Sequence, residues 1–480
     1  MRGPTMWMLG AVVVIVASCI VYQAIHAAPQ SPSIPRSASP YGQSVPVFCQ
    51  TSSPSCAAAA CHGGGEVGRK GSEHSTWSPN LLAEKQNDPH SHSYSILSNR
   101  KSLEMTKALG LKLPFKAELC LKCHSVPDLV PKIAVSEGVS CGACHGPAEK
   151  WLAAHVEPSW KTLNNREKLE TYGFLPGTNL VARNLTCVKC HVGDSEREVN
   201  HDLIAAGHPR LAFESSQFHY QPSYRKHWGE TEPDFELRNW YVGQVVGLRA
   251  ATELLRVRAE RAAKQLKLEG VTKSPWPEFA GLNCYSCHKS ADLKSAIITE
   301  SRPRKSLAIP AWETWSNATF DALITLRTDF YPESEPPRLD DIIALQKAMD
   351  RRTPDATAIA AQSAKALAQL DAWLASMQRA EDSGKLEPLA KQVPGRIVCL
   401  LAVGVRSCND RESFSAAYHG SAAAFRAGGG RERLPEWAEA IRGLEGQLKA
   451  NSTTVCVKFD PNEVRSHFQA LAAAASRSKP

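Results

Sequence analysis

The pattern of hydrophobic and polar residues divides the chain into three parts. Met6 to Ile25 is an almost unbroken apolar run. Residues 49–233 carry apolar residues in short groups separated by Pro and Gly, which predicts short helices and loops. A helical period then predicts helices at 234–268, 339–350, 355–379, 436–450 and 461–475. No region has the alternation of strands, so we predict an all-α fold.

The segment 234–268 has the clearest helical pattern. Leu237, Trp240, Leu248 and Leu255 recur at helical spacing, and most of the basic residues lie off this stripe. We expect the stripe to pack against the part of the chain that precedes it. Pro435 and the sequence Asp460-Pro461-Asn462-Glu463 are typical of helix starts, with proline in the first helical position.

The apolar run near the N-terminus predicts export from the cytoplasm. Residues 1–28 combine Arg2 with the apolar run, as signal peptides and membrane anchors do. An uncleaved anchor through residues 6–25 is favoured over cleavage near Ala27–Ala28, and a lipoprotein at Cys19 is a third reading. All three give a periplasmic or otherwise extracytoplasmic location. Residues 29–48, rich in Ser and Pro, read as a tether.

Composition excludes several classes of protein. Hydrophobic residues make up 43% and charged residues 22% of the 480 positions, which excludes a mainly disordered chain. The net charge of +8 is mild and comes without a long basic run, so we expect no nucleic-acid partner. The informative numbers are 15 Cys and 16 His.

Four segments carry the pattern C-x-x-C-H, where about 0.02 would be expected by chance from this composition. This pattern attaches haem c: the two thiols add to the porphyrin, and the adjacent His binds the iron. Zinc ribbons do not require His after every second Cys, so zinc and plain disulfides are the weaker readings. The four segments are Cys120–Cys123–His124, Cys141–Cys144–His145, Cys187–Cys190–His191 and Cys284–Cys287–His288.

One more candidate has a wider spacing and comes first along the chain, so the five motifs are numbered here in chain order from Cys56 to Cys284. Cys56 and Cys61 are separated by four Ala residues and are followed by His62 and two glycines. We favour haem attachment here over a disulfide to Cys49 because His62 and the glycines repeat the context of the other motifs. The sequence thus predicts five covalently bound haems, four of them from motifs with regular spacing.

Residues 49–292 resemble the multihaem cytochromes of the cytochrome c-554 type, which are related to hydroxylamine oxidoreductase. Three stretches carry the resemblance, and it is strongest between residues 88 and 211: Asp88–Tyr94, Gly138–Pro147 with Trp151 and His155, and Cys187–Asp194 leading into Asn200–Leu211. The fifth motif at Cys284 and the long C-terminal extension depart from the tetrahaem pattern. The resemblance implies that most haems have two His ligands and carry electrons, while one haem can lack the second ligand.

The resemblance and the local sequence also suggest which histidines bind the iron atoms from the second side. His90 and His155 match positions that supply such ligands in the family. One of His208 and His201, which flank an apolar turn, is expected to do the same, with His208 preferred. His227 is a further candidate, whereas His92, His219 and His74 read as surface or hydrogen-bonded residues.

We divide the chain into a signal or anchor (1–28), a tether (29–48), a multihaem cytochrome domain (49–292) and a helical C-terminal domain (293–480). The favoured function is electron transfer between redox protein partners through the haems. The alternative is a haem reductase or oxidase of a small nitrogen or sulfur compound, which needs one open iron at the haem of Cys56 or of His124. A third reading gives residues 293–480 a role in docking to a larger complex.

Overall fold

A computed structural model describes the greater part of the chain after residue 55. The described residues are 56–64, 71–78, 88–126, 136–220, 234–266, 275–284, 312, 318–332, 339–384, 386–408, 410–448 and 460–477. The predicted anchor and tether, residues 1–48, lie outside them. In the described part, no helix is both long enough and apolar enough to cross a bilayer.

The structure is mostly helical, which confirms the predicted all-α fold. Within the described residues the only strand-like pairing is a single bridge between Leu282 and Trp312. The helices are α1 Glu73–Trp77, α2 Arg100–Ala108, α3 Glu118–His124, α4 Cys141–His145, α5 Asn165–Tyr172, α6 Leu180–His191, α7 His201–Ala205, α8 Ser215–Tyr220, α9 Phe235–Leu266, α10 Phe320–Phe330, α11 Asp340–Met349, α12 Ala356–Asp382, α13 Val393–Gly404, α14 Arg411–Ala427, α15 Gly430–Arg433, α16 Pro435–Leu448 and α17 Pro461–Arg477.

Short 3₁₀ helices connect the helices of the first half. They span Pro89–His92, Ser95–Ser98, Pro114–Lys116, Ala154–Val156, Pro158–Thr162 and Phe279–Gly281, and a further one, Val405–Ser407, follows α13. The first half therefore consists of short helical pieces, as the distribution of Pro and Gly predicts.

Helix α9 is the centre of the fold. It packs against α6 and α8, which precede it in the sequence, and against α12 and α14, which follow it. Trp240 and Tyr241 are fully buried, and the ring of Tyr241 stacks on Phe330 with centroids 4.4 Å apart. The expectation that the basic residues of this helix lie off the packed face is wrong for Arg249, which is buried and bonded to Asp371. Residues 239–259 of this helix are almost all buried, so its middle has little solvent-exposed surface for charged side chains.

The apolar core is distributed unevenly. One large cluster runs from Leu180 through α9 to the last helix, α17, whereas the described residues before Leu180 hold only a small cluster around Ala148 and Trp151. Residues 45–480 form one compact unit. The domain boundary at residue 292 stays a prediction. Cys399 and Cys408, the two cysteines of this part of the core, form no disulfide, and Cys399 lies against Ala472 and Ser476.

Candidate functional site

Three of the C-x-x-C-H motifs form the last turns of helices. Helix α3 ends at His124, α4 spans Cys141 to His145, and α6 ends at His191. Residues three and four apart share one helix face, so helical conformation puts both Cys and the His of each motif on the same side. The local fold therefore presents each motif as a group aimed at one neighbouring space.

The first motif reaches a similar result through a turn. The amide of Cys61 donates to Ala58 O at 2.9 Å, and Gly63 donates to the same oxygen at 3.1 Å. A side chain at Gly63 would collide with the backbone of Ala57, because its Cβ would lie only 1.9 Å from Ala57 O. The glycine is needed for this close approach, which curls the four-alanine spacer back on itself.

The structure brings six histidines together as three pairs. Among the described residues no group of three or more His, Cys, Asp or Glu side chains converges on one metal ion. The pairs, with the distances between ring centroids, are His62–His155 at 6.3 Å, His90–His191 at 6.0 Å and His124–His208 at 6.3 Å. Each pair combines a motif histidine with a histidine predicted as a second ligand.

These distances fit a metal ion held between the two rings. Two imidazoles that bind one ion from opposite sides, with nitrogen–metal bonds of about 2 Å, have their ring centres roughly 6 Å apart. The rings of His62 and His155 are close to parallel, at 14°, and the other two pairs are close to perpendicular, at 88° and 89°. Both orientations leave the space between the rings open to a flat ligand.

Hydrogen bonds fix the Nδ1 atom in five of the six rings. Carboxylate and carbonyl oxygens only accept, so Nδ1 carries the proton and Nε2 keeps its lone pair for a metal. The contacts from Nδ1 are His62 to Glu73 at 2.9 Å, His90 to Asp88 at 3.0 Å, His124 to Ser93 O at 2.8 Å, His155 to Leu152 O at 2.5 Å and His208 to Pro209 O at 2.7 Å.

A cavity of about 860 Å³ contains two of the pairs. His90 and His191 line it together with Cys187 and Cys190 of the fourth motif. Further along the same cavity are the cysteines and the histidine of the second motif, with His208 opposite: Cys120, Cys123, His124 and His208. The size and the lining fit bulky planar cofactors attached through these thiols.

Cysteines of different motifs lie next to each other. Cys56 of the first motif and Cys141 of the third share a hydrogen bond, which lowers the pKa of Cys56 to about 7. Cys123 of the second motif and Cys190 of the fourth also share a hydrogen bond, which lowers the pKa of Cys190 to about 7. Burial raises the pKa of Cys144 to about 12, with a smaller effect from Cys187 of the fourth motif. The motifs are therefore neighbours in the order first, third, fourth, second.

The fifth motif begins beside the second. Cys284 is near Arg210, and the Nε of Arg210 donates to Ala280 O at 3.1 Å. His201 lies in the same area, its ring 5.7 Å from Phe279. The structure therefore places the two histidines that flank the apolar turn at different motifs: His208 at the second and His201 near the fifth. Cys287 and His288 of the fifth motif, and His227, lie outside the described residues.

His145 is the remaining motif histidine that the structure describes. Its ring stacks on Phe174 with centroids 5.6 Å apart. Phe174 belongs to a cluster of aromatic rings that also contains Trp151 and Trp160. Trp151 in turn contacts His155, with ring centroids 5.4 Å apart, and His155 lies in the 3₁₀ helix Ala154–Val156.

His219 is hydrogen-bonded, one of the two readings that its sequence context favoured, because its Nδ1 lies 2.9 Å from Ser215 O. It is buried and lines the large cavity, and burial lowers its pKa to about 3.

Sequence reasoning missed two other residues that shape the site. Glu73 accepts a hydrogen bond from the motif histidine His62, and Asp88 accepts one from His90. Asp88 had a usable signal, because an Asp before Pro-His is typical of a helix start whose carboxylate accepts from the following amides. Glu73 had no such signal in the sequence, because only the fold brings its carboxylate next to His62.

These features are similar to those of a class of proteins, the c-type cytochromes that hold several haems in one helical fold. Residues 55–146 match the family model described as cytochrome c554 and c-prime. The match is consistent with a multihaem c-type cytochrome of that family, which confirms the recognition made from the motifs, and it indicates a haem-based role in electron transfer. Neither the comparison with curated proteins nor that with solved structures gives a match.

Proposed function

We propose that this protein is an extracytoplasmic electron carrier that moves electrons between redox protein partners through five covalently bound haems c. The observation that carries the proposal is the set of three histidine pairs with ring centres 6.0–6.3 Å apart, each containing one motif histidine. The two cysteines of each motif would hold a porphyrin, and in three of the motifs the paired histidines would bind its iron. A bound haem supplies iron that takes up and releases one electron.

The protein's own residues favour fast electron exchange over chemistry on a substrate. The paired histidines would hold the iron in both oxidation states, and the bonds at Nδ1 keep their rings in place. Little then has to move when the charge of the site changes. A carrier needs this property, whereas an enzyme needs an exchangeable position for its substrate.

The arrangement of the motifs supports a continuous path. The thiol contacts link the first motif to the third and the second to the fourth, and the third and fourth are close to each other. With Cys284 next to Arg210, we propose the order first, third, fourth, second, fifth for the haems. Electrons would enter and leave near the ends of this series.

The proposal is tested by counting the haems and determining their spin states. Intact mass and a pyridine haemochrome assay on the purified holoprotein should give five haems per chain. Electron paramagnetic resonance should show low-spin iron, and neither cyanide nor nitric oxide should bind. A colourless protein would contradict the proposal. So would haems that bind cyanide or nitric oxide and show no low-spin signal.

Single substitutions test the ligand pairs. His90→Ala, His155→Ala and His208→Ala should each convert one haem from low-spin to high-spin, because each removes one ligand and leaves its motif intact. His92→Ala is the matched control. It lies two residues from His90 in the same 3₁₀ helix but is exposed, so the spectrum should not change.

A further inference from the structure

Two apolar side chains are exposed at the opening of the large cavity, and a third is exposed on a helix that borders the cavity. Ile96 is 49% exposed and Leu119 44% exposed, and both also line the cavity. Side chains that line a cavity and also face solvent mark its mouth. Leu119 directly precedes Cys120, and Leu103 on the neighbouring helix α2 is 41% exposed. The cofactor position next to Cys120 is therefore the one that lies under this mouth.

The surface around this opening is basic. Residues 96–122 contain six Lys or Arg and two Glu, a net charge of 6 − 2 = +4, which is half of the +8 of the whole chain. Both glutamates form ion pairs within the segment, Glu104 with Arg100 and Glu118 with Lys122. In the described part of the chain, the four lysines that form no ion pair in this segment are Lys101, Lys107, Lys112 and Lys116.

One border of this surface carries acidic groups. A smaller cavity of about 340 Å³ next to Leu119 is lined by Glu198 and Asp202. Glu198 is neutralised by Arg258 and Arg261, at 2.8 and 2.9 Å. Asp202 alone adds an exposed negative charge there, so the positive charge of the lysines is not cancelled.

We propose that Ile96, Leu103 and Leu119, with the surrounding lysines, form a docking surface for an acidic redox protein that exchanges electrons at the haem held by Cys120 and Cys123. This inference rests on the proposed function and adds the chemistry of the partner and its place of contact. In an exchange, the reduced partner loses one electron and the ferric haem gains it, and no proton or bond has to change.

The composition of the surface suits a brief encounter. Three apolar side chains give a small contact that can be desolvated, and lysine ammonium groups attract an opposite charge over a distance near the Debye length. Lysine is strongly hydrated and flexible, so it steers a partner without holding it in one fixed geometry. Fast association and fast release are both required when electrons are passed on repeatedly.

The test uses the full holoprotein and a defined acidic donor, reduced flavodoxin. Stopped-flow spectroscopy measures the second-order rate constant of haem reduction at increasing ionic strength. The surface variant carries Lys107→Glu, Lys112→Glu and Lys116→Glu, three residues that do not line the cavity. At low salt its rate constant should fall by about tenfold or more, and its dependence on salt should flatten.

A matched variant controls for net charge. Lys347→Glu, Lys365→Glu and Lys391→Glu change exposed lysines on or next to α11, α12 and α13, and both triple variants lower the formal charge from +8 to +2. The control should stay within about twofold of the wild type. Equal slowing of both variants, or no slowing of either, would overturn the proposal.

A small uncharged reductant separates this inference from the proposed function. Photochemically generated deazariboflavin radical should reduce the wild type and both variants at the same rate. If it reduces none of them, the proposed function itself fails. If it reduces all of them and flavodoxin does not distinguish the variants, only the docking surface is refuted.

Two further outcomes would also refute the docking surface. The lysines could instead neutralise haem propionates, in which case the midpoint potentials of the surface variant would shift and account for its slower reduction. They could instead bind an anionic membrane, in which case the surface variant alone would lose binding to phosphatidylserine vesicles while its rate with flavodoxin would not change.

Discussion

The hydrogen bonds to the Nδ1 atoms are the residue-scale features with the most direct chemical effect. A carboxylate at Nδ1 makes an imidazole a stronger electron donor, whereas a backbone carbonyl has a weaker effect. Two of the five anchored rings have a carboxylate partner, His62 through Glu73 and His90 through Asp88. The haems at these two pairs should therefore favour the ferric state more than the haem between His124 and His208.

Asp88→Asn tests this effect. The substitution keeps an oxygen that can accept from the amide of His90 and removes the negative charge at Nδ1. The midpoint potential of one haem should rise by roughly 30–60 mV, since 59 mV corresponds to a tenfold change for a one-electron couple. Spectroelectrochemical titration measures it. Asp340→Asn, an exposed residue at the start of α11, should leave all potentials unchanged, and equal titrations of the two variants would speak against the effect.

Glu214 provides a pH-dependent prediction. It is fully buried, with Gln244 and Ser216 donating to its oxygens at 2.9 Å, and burial raises its pKa to about 7 from 4.5. Between these two values the folded protein binds more protons than the unfolded chain. The contribution of Glu214 to stability is therefore present at low pH and is lost as the pH rises through 7.

Glu214→Gln removes this titration and keeps the shape of the side chain. Relative to the wild type, the variant should gain stability between pH 5 and pH 8, by a total of about 3 kcal/mol. Denaturant unfolding of the holoprotein at several pH values measures the difference. A difference that does not change with pH would show that Glu214 does not titrate in this range.

At the scale of elements, helices with a regular apolar stripe could be predicted from sequence, whereas helices that are apolar or alanine-rich on several sides could not. The segment 355–379 agrees closely with α12, and Pro435 and Pro461 begin α16 and α17 as expected. Helices α13 and α14 were not predicted. They are apolar or alanine-rich on several sides because they pack in the middle of the core, which removes the contrast between faces that sequence analysis uses.

The site shows the same limit. The motifs identify the cysteines and one proposed ligand of each haem because these residues are neighbours along the chain, and in three motifs they share one helix turn. The partners do not share a turn with them: His62 and His155 are 93 positions apart in the numbering, and only the fold brings them together. Sequence alone could name His155 as a ligand through the family resemblance, but it could not say to which motif the residue belongs.

The contact between α9 and α14 yields a prediction about packing. Gly420 on α14 faces Trp240 and Leu401, and a Cβ there would lie 2.7 Å from the indole and 2.8 Å from the leucine methyl. Gly420→Ala should destabilise the protein by about 1–3 kcal/mol through overpacking. Gly446→Ala in α16, which has no neighbouring atom within 4 Å, should stabilise it by about 0.5–1 kcal/mol. Equal effects in denaturant unfolding would contradict the packing.

At the scale of the whole molecule, α9 joins the two halves of the sequence. Its buried residues contact α12 and α14 as well as α6 and α8, so residues after 292 complete the core around it. A chain that ends at residue 292 would expose Trp240 and Tyr241. We expect such a chain to aggregate or to be digested rapidly by thermolysin, whereas the full holoprotein should resist digestion. A soluble, protease-resistant fragment that keeps its haems would show that the first part folds independently.

The side-by-side thiols have a consequence for how the protein is made. A polypeptide that adopts this arrangement without its cofactors would hold Cys56 against Cys141 and Cys123 against Cys190. In an oxidising compartment, an oxidant would take two electrons and two protons from each couple and join them. The resulting cross-links would appear on a non-reducing gel, and their absence from protein made without haem would refute this reasoning. Biogenesis must therefore load the thiols before the chain closes around them, or keep them reduced until it has done so.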